Sequence, residues 1–206
     1  MNRRIYIVLI LMMIIILIGC SKETTIDKNN IASIQVNKDS VHQKSLEELG
    51  IGELFDFHLK LPYADKSRVN LWVEGYESGK KISSSPLTQL SYGYSPNKKS
   101  EGSMGFGIIH STNPNPLFFL YSPEVSQVPL EVELNGLYSS GIRGWSYAIP
   151  DETISLKSGE TKILGVYGHD NHSLGGYDYT PEGIDGMIKE YELVLILKLK
   201  VEKQEE

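Results

Sequence analysis

A single cysteine, Cys20, stands in this chain of 206 residues. One thiol cannot close an intrachain disulfide, so the fold must rest on its hydrophobic core. A chain of this length can do that, burying roughly 70% of the surface its unfolded form exposes. Basic charge is also in short supply, with 20 Lys and Arg against 26 Asp and Glu. That balance argues against nucleic acid as a partner, because no basic face would neutralise phosphates. Long amphipathic helical stretches and internal repeats are lacking as well. Tryptophan is rare, at two residues, but tyrosine is not, at twelve.

What the chain does carry begins at its amino terminus. Arg3 and Arg4 precede an unbroken apolar run from Ile5 to Ile18, followed by Gly19, Cys20 and the polar Ser21-Lys22-Glu23. A charged start, a short apolar core and a small residue at the cut site describe a secretory signal peptide. The run is shorter than the roughly 20 residues a spanning helix needs. The four residues Leu17-Ile18-Gly19-Cys20 resemble the lipobox of bacterial lipoproteins. That resemblance covers only these positions and the segment before them. It implies lipid on the Cys20 thiol, cleavage before Cys20, and an address on the extracytoplasmic face of the cell membrane. Two acyl chains on one sulfur make a stable anchor where one would be marginal. Loss of residues 1–19 removes two arginines, leaving 18 basic against 26 acidic residues, a charge of −8. Contact with the bilayer is then expected through the lipid rather than through a charged surface.

Residues 20–44 are polar and weakly patterned, apart from a possible short strand at Ile31–Val36, and read as a lipidated N-terminus and flexible tether. The domain is expected over 45–206, opening with a short helical piece, Ser45–Leu49, that stops at Gly50. From there on the signal is alternation. Phe55, Phe57, Leu59 and Leu61 oppose Asp56, His58 and Lys60; Val69, Leu71 and Val73 oppose Asn70, Trp72 and Glu74. Val128, Leu130, Val132 and Leu134 repeat the pattern. The run Tyr191–Val201 is apolar at odd positions and also at 194 and 196, so its middle should be covered on both faces. Period-2 alternation predicts half-buried strands. They are placed near 54–61, 68–76, 86–94, 103–110, 117–122, 127–134, 143–149, 153–157, 161–167 and 190–201. Glu77-Ser78-Gly79-Lys80, Asn135-Gly136 and Lys157-Ser158-Gly159-Glu160 read as hairpin turns. Together these predict a single all-β domain, an antiparallel β-sandwich of immunoglobulin-like or jelly-roll-like type. The unit 154–163 resembles the late hairpin of secreted immunoglobulin-like domains, a likeness that carries no function.

Candidate chemistry is sparse. Gly168-His169-Asp170-Asn171-His172 opens an expected loop, 168–187, that also holds Asp178, Glu182 and Asp185. His169, Asp170 and His172 are candidate zinc or copper ligands, since imidazole suits both metals. The competing reading is a solvated loop whose Asn, Asp and Gly residues serve turns. Gly144-Trp145-Ser146-Tyr147-Ala148 is a poor nucleophile elbow: it ends in Ala and sits in a strand-like run. Gly102, Gly105 and Gly107 precede no helix and form no phosphate loop; they suit strand packing. Trp72, Tyr76, Trp145 and Tyr147 are either an exposed binding surface, able to stack on sugars or anchor a protein, or a second layer of core. The expectation is a non-catalytic binding or interaction module for an envelope protein or glycan, with no cofactor. The alternative is a metal-binding protein or hydrolase using 168–187.

Overall fold

The computed structural model describes residues 30–134, 137 and 140–204. The signal segment, Cys20 and the Asn135-Gly136 turn lie outside the described residues. The rest is an all-β antiparallel sandwich.

The first sheet contains β1 (Asn30–Val36), β2 (Gly52–Leu61), β6 (Ser100–Ile109), β7 (Leu117–Tyr121), β8 (Leu130–Glu131) and β10 (Ile154–Lys157). Its order is β10-β1-β2-β6-β7-β8. The second contains β3 (Ser67–Glu77), β4 (Lys80–Lys81), β5 (Thr88–Gly93), β9 (Ile142–Tyr147), β11 (Thr161–Asp170) and β12 (Leu193–Lys203). Here β12 lies between β3 and β11, β9 flanks β11, and both β4 and β5 pair with β3. Helix α1 (Val41–Glu48) packs on β2, and helix α2 (Pro181–Glu190) lies against the second sheet.

The alternating strands face as their pattern requires. Phe57, Leu59, Val69, Leu71 and Val73 are wholly buried between the sheets. In β12 both faces are covered in the middle: Leu195 and Leu197 face the main core, while Val194 and Ile196 meet Ile184 and Met187 of α2. Each such side chain contributes roughly 1.5–3 kcal/mol by leaving water. The β3–β4 turn is the expected hairpin, with Ser78 and Gly79 both at positive φ (47° and 80°), as a type I′ turn needs.

Five expectations need correction. The stretch 20–44 is not tether throughout: from Asn30 it is β1, a strand between β10 and β2 with Ile31, Ala32, Ile34 and Val36 buried. The short strand read at Ile31–Val36 is this one, and it lies inside the sheet rather than in a tether. The helix begins at Val41, ahead of Ser45, because the Ser40 hydroxyl accepts from the Gln43 amide as an N-cap. The stretch 154–163 is not a hairpin. β10 pairs with β1 in one sheet and β11 with β12 in the other, so the Ser158-Gly159 turn carries the chain across the sandwich. Strand 127–134 shrinks to two residues, with Val128 79% exposed. Finally, 168–187 is not one loop. Residues 168–170 end β11, and 181–190 form α2, with Thr180 as N-cap and Pro181 in the first turn.

Candidate functional site

The outer face of the first sheet is shaped by glycine. Across β2, β6 and β7 the register aligns Asp56, Gly105 and Tyr121 on one rung, and Leu54, Gly107 and Phe119 on the next. The central strand thus has no side chain at two successive outward positions, and the aromatic rings of β7 lean into that space. A Cβ on Gly107 would stand 2.1 Å from the Phe119 ring, and one on Gly105 would stand 2.6 Å from the Tyr121 hydroxyl oxygen. The two ring centroids are 6.1 Å apart with planes inclined by 30°. That separation is close to the two-residue repeat along a strand, about 6.6–6.8 Å. The rings are therefore neighbours, side by side over β6.

The gap at Gly105 has a second effect. Tyr121 reaches across β6 and donates a 2.8 Å hydrogen bond to Asp56 Oδ1. The Asn37 side-chain amide donates to the other oxygen, Oδ2, at 2.9 Å. Asp56 is completely buried, and no cation is among these two partners. Burial, followed by the Asp56 carboxylate beside it, pushes the Tyr121 hydroxyl above its ordinary range, so it stays a donor. Tyr147 enters from the opposite sheet: its hydroxyl accepts from the Asp56 amide at 3.3 Å and donates to Gln43 of α1 at 3.2 Å.

Above this floor is a groove of about 490 Å³. His42 and Leu46 of α1 form one wall; Ser122 and Pro123 close the other side; Leu54, Ser103, Phe119 and Tyr121 lie along the floor. Glu101 stands at the rim, paired with His58 Nε2 at 2.9 Å and Lys60 Nζ at 3.1 Å. The volume falls in the range of small-ligand sites, about 300–1,000 Å³.

The aromatic residues singled out from sequence do not form one surface. Trp145 and Tyr147 point between the sheets, edge-on to Phe55 at 5.2 and 5.6 Å, and are core rings. Trp72 and Tyr76 lie on the outer face of the second sheet, where both donate to Glu74, at 3.2 and 2.8 Å. Burial pushes the Glu74 carboxyl up, but hydrogen bonds from Lys198, Trp72 and Tyr76 outweigh it and hold the pKa at about 2. Tyr76 also packs on the small cluster beneath α2. The alternation identified their shared faces correctly, yet could not say which of those faces packs between the sheets.

The candidate metal ligands also part company. His169 is fully buried in β11, whereas His172 is 91% exposed. Asp170 Oδ1 accepts the amides of His172 and Ser173, the turn role. Among the described residues no group of three or more His, Cys, Asp or Glu side chains is arranged to hold a metal ion. Ser146 of the elbow-like segment lies in strand β9, without the strand–turn–helix a nucleophile elbow needs. Among the described residues no helix is long and apolar enough to cross a membrane.

Comparison with protein-family models, with curated proteins and with solved structures finds no match. Function is therefore argued from this chain's own geometry. Sequence reasoning missed the groove residues, although a signal was present: Gly105 and Gly107 sit two apart in one strand, and Phe119 and Tyr121 two apart in the next.

Proposed function

We propose that the protein is a lipid-anchored extracytoplasmic lipoprotein whose sandwich binds a component of the cell envelope in the groove on the outer face of the first sheet. The address rests on the lipobox-like Leu17-Ile18-Gly19-Cys20. The stretch from Cys20 to Asn30 can span at most about 35 Å when fully extended, so the sandwich stays close to the bilayer. The binding role rests on one observation: two half-exposed aromatic rings lie side by side on the floor of a groove that a helix and a turn wall in. Gly105 and Gly107 leave two successive outward positions of β6 without side chains, which is where the rings lie, although glycine weakens a strand. Ser122, on the groove wall, donates its hydroxyl to the Val125 carbonyl rather than to a base, which favours binding over catalysis there.

The test is position-dependent photocrosslinking in cells carrying the lipid-anchored chain. A photoreactive residue at His42 or Ser122, on the groove wall, should capture an envelope component. The same residue at Ser91, on the exposed face of β5, should not. Equal capture from both faces, or none from the groove, would overturn the reading.

A further inference from the structure

We infer that the groove takes an uncharged saccharide, with a pyranose ring laid on the Phe119 and Tyr121 rings and its hydroxyl edge toward Ser103, Glu101 and His42. This rests on the groove being a binding site and names the chemistry of its ligand.

Three features of the lining select that chemistry. The first is charge. Among the described residues no Lys or Arg lines the groove, and the nearby Lys60 is engaged by Glu101, so a polyanion would find little counter-charge. The acidic groups are also occupied. Glu101 is paired with both His58 and Lys60, and each oxygen of the buried Asp56 accepts a hydrogen bond. A cationic ligand would have to compete with those partners. The groove therefore suits a neutral molecule.

The second feature is the mixture of surfaces. Phe119 and Tyr121 offer ring faces, with Leu46, Leu54 and Pro123 beside them. Ser103, Ser122, Glu101 and His42 interrupt the apolar area. A purely apolar occupant, such as an acyl chain, would strip water from those polar groups without replacing its hydrogen bonds, which is costly. A sugar ring has the matching division, with C–H groups on its faces and hydroxyls around its edge.

The third is fixity. The rings are held close to the sheet because Gly105 and Gly107 leave room for them, and the Tyr121 hydroxyl is tied to Asp56. A platform fixed before binding loses little conformational freedom when a ring settles on it.

The experiment titrates the Cys20→Ser mature chain with cellotetraose, maltotetraose and chitotetraose, using calorimetry and saturation-transfer NMR. At least one should bind, with transfer strongest at the sugar C–H protons. Phe119→Ala should weaken that binding at least tenfold. Gly107→Ala should weaken it too, because the added methyl lifts the Phe119 ring without removing it. If either variant fails to fold, His42→Ala and Glu101→Gln, at the exposed rim, carry the test with a severalfold loss. The capped peptide Ac-Leu-Phe-Leu-NH₂ serves as the apolar comparator. A parent protein that takes the peptide but none of the saccharides at millimolar concentration overturns the ligand class and leaves the binding groove standing. Binding neither overturns both. Saccharide affinity unchanged in folded Phe119→Ala overturns the platform.

Discussion

Tyr121 hydrogen-bonds Asp56 from two strands away, passing over Gly105 to reach a carboxylate that has no contact with water. This contact holds the aromatic floor and satisfies a buried acid at once. Tyr121→Phe keeps the ring but leaves Asp56 Oδ1 without this donor. Leaving a buried acceptor short of a partner costs about 1–3 kcal/mol. Urea denaturation should show that loss, and Tyr121→Phe combined with Asp56→Leu should recover part of it. If the single variant denatures like the parent, the carboxylate does not depend on this bond.

Acid should weaken the second sheet through Glu74. Its folded pKa, about 2, lies below the ordinary 4.5. A depressed carboxyl stabilises the fold above its unfolded pKa, and that stability is lost as pH falls through the folded value. The contribution is therefore complete at neutral pH and disappears between about pH 5 and pH 2. Glu74→Gln should flatten the melting-temperature profile across that window while lowering stability at pH 7 by about 1 kcal/mol, a figure discounted for solvent screening. A variant whose acid profile superimposes on the parent's would remove Glu74 from the account.

Trp145 and Tyr147 should separate from Trp72 on truncation. Trp145→Ala and Tyr147→Ala each empty space beside Phe55 and should cost roughly 3–5 kcal/mol. Trp72→Ala should cost much less, since Trp72 lies on the outer face and is half-buried. Leu195→Asp, placing a charge in the main core, should abolish the folded state. Thermal melts followed by circular dichroism decide the order. Comparable losses for Trp72 and Trp145 would contradict the assigned faces.

His169 and His172 should respond differently. His169→Ala leaves a void in a buried strand and should lower stability by about 2 kcal/mol or more. His172→Ala, on an exposed side chain, should stay within about 0.5 kcal/mol. Denaturation is measured with and without Zn²⁺. A zinc-dependent stabilisation that disappears equally in both variants would restore a shared metal site.

Membrane attachment should hinge on one atom. Cys20→Ser removes the thiol that would carry lipid, and the protein should then leave the membrane fraction or persist uncleaved. Mature-size protein that still sediments with membranes after this change would refute the anchor.

The fold was legible where packing follows a local period. β2, β3 and β12 each announce their buried face by alternation, and the apolar 194 and 196 announced a cover that α2 supplies. Helix α2 itself stayed hidden because Gly183 and Gly186 weaken its helical signature, although Thr180-Pro181-Glu182 is a serviceable start signal. The 127–134 run misled because its alternation is real while its strand partner is nearly absent: only Leu130 and Glu131 pair with β7. The site was less legible than the fold. Asp56 and Tyr121 are 65 residues apart, and no spacing rule joins them. What brings them together is the register of three strands, which depends on long-range pairing.

The position of β12 bears on how the second sheet comes together. Residues 193–203 form the strand between β3 and β11, and their partners in β3 run back to Ser67. Until β12 is paired, β3 and β11 lack their common neighbour. Until the two sheets face each other, Phe57, Leu59, Met104 and Phe106 of the first remain in water. Assembly therefore turns on one set of long-range pairings, a topology that folds slowly and cooperatively.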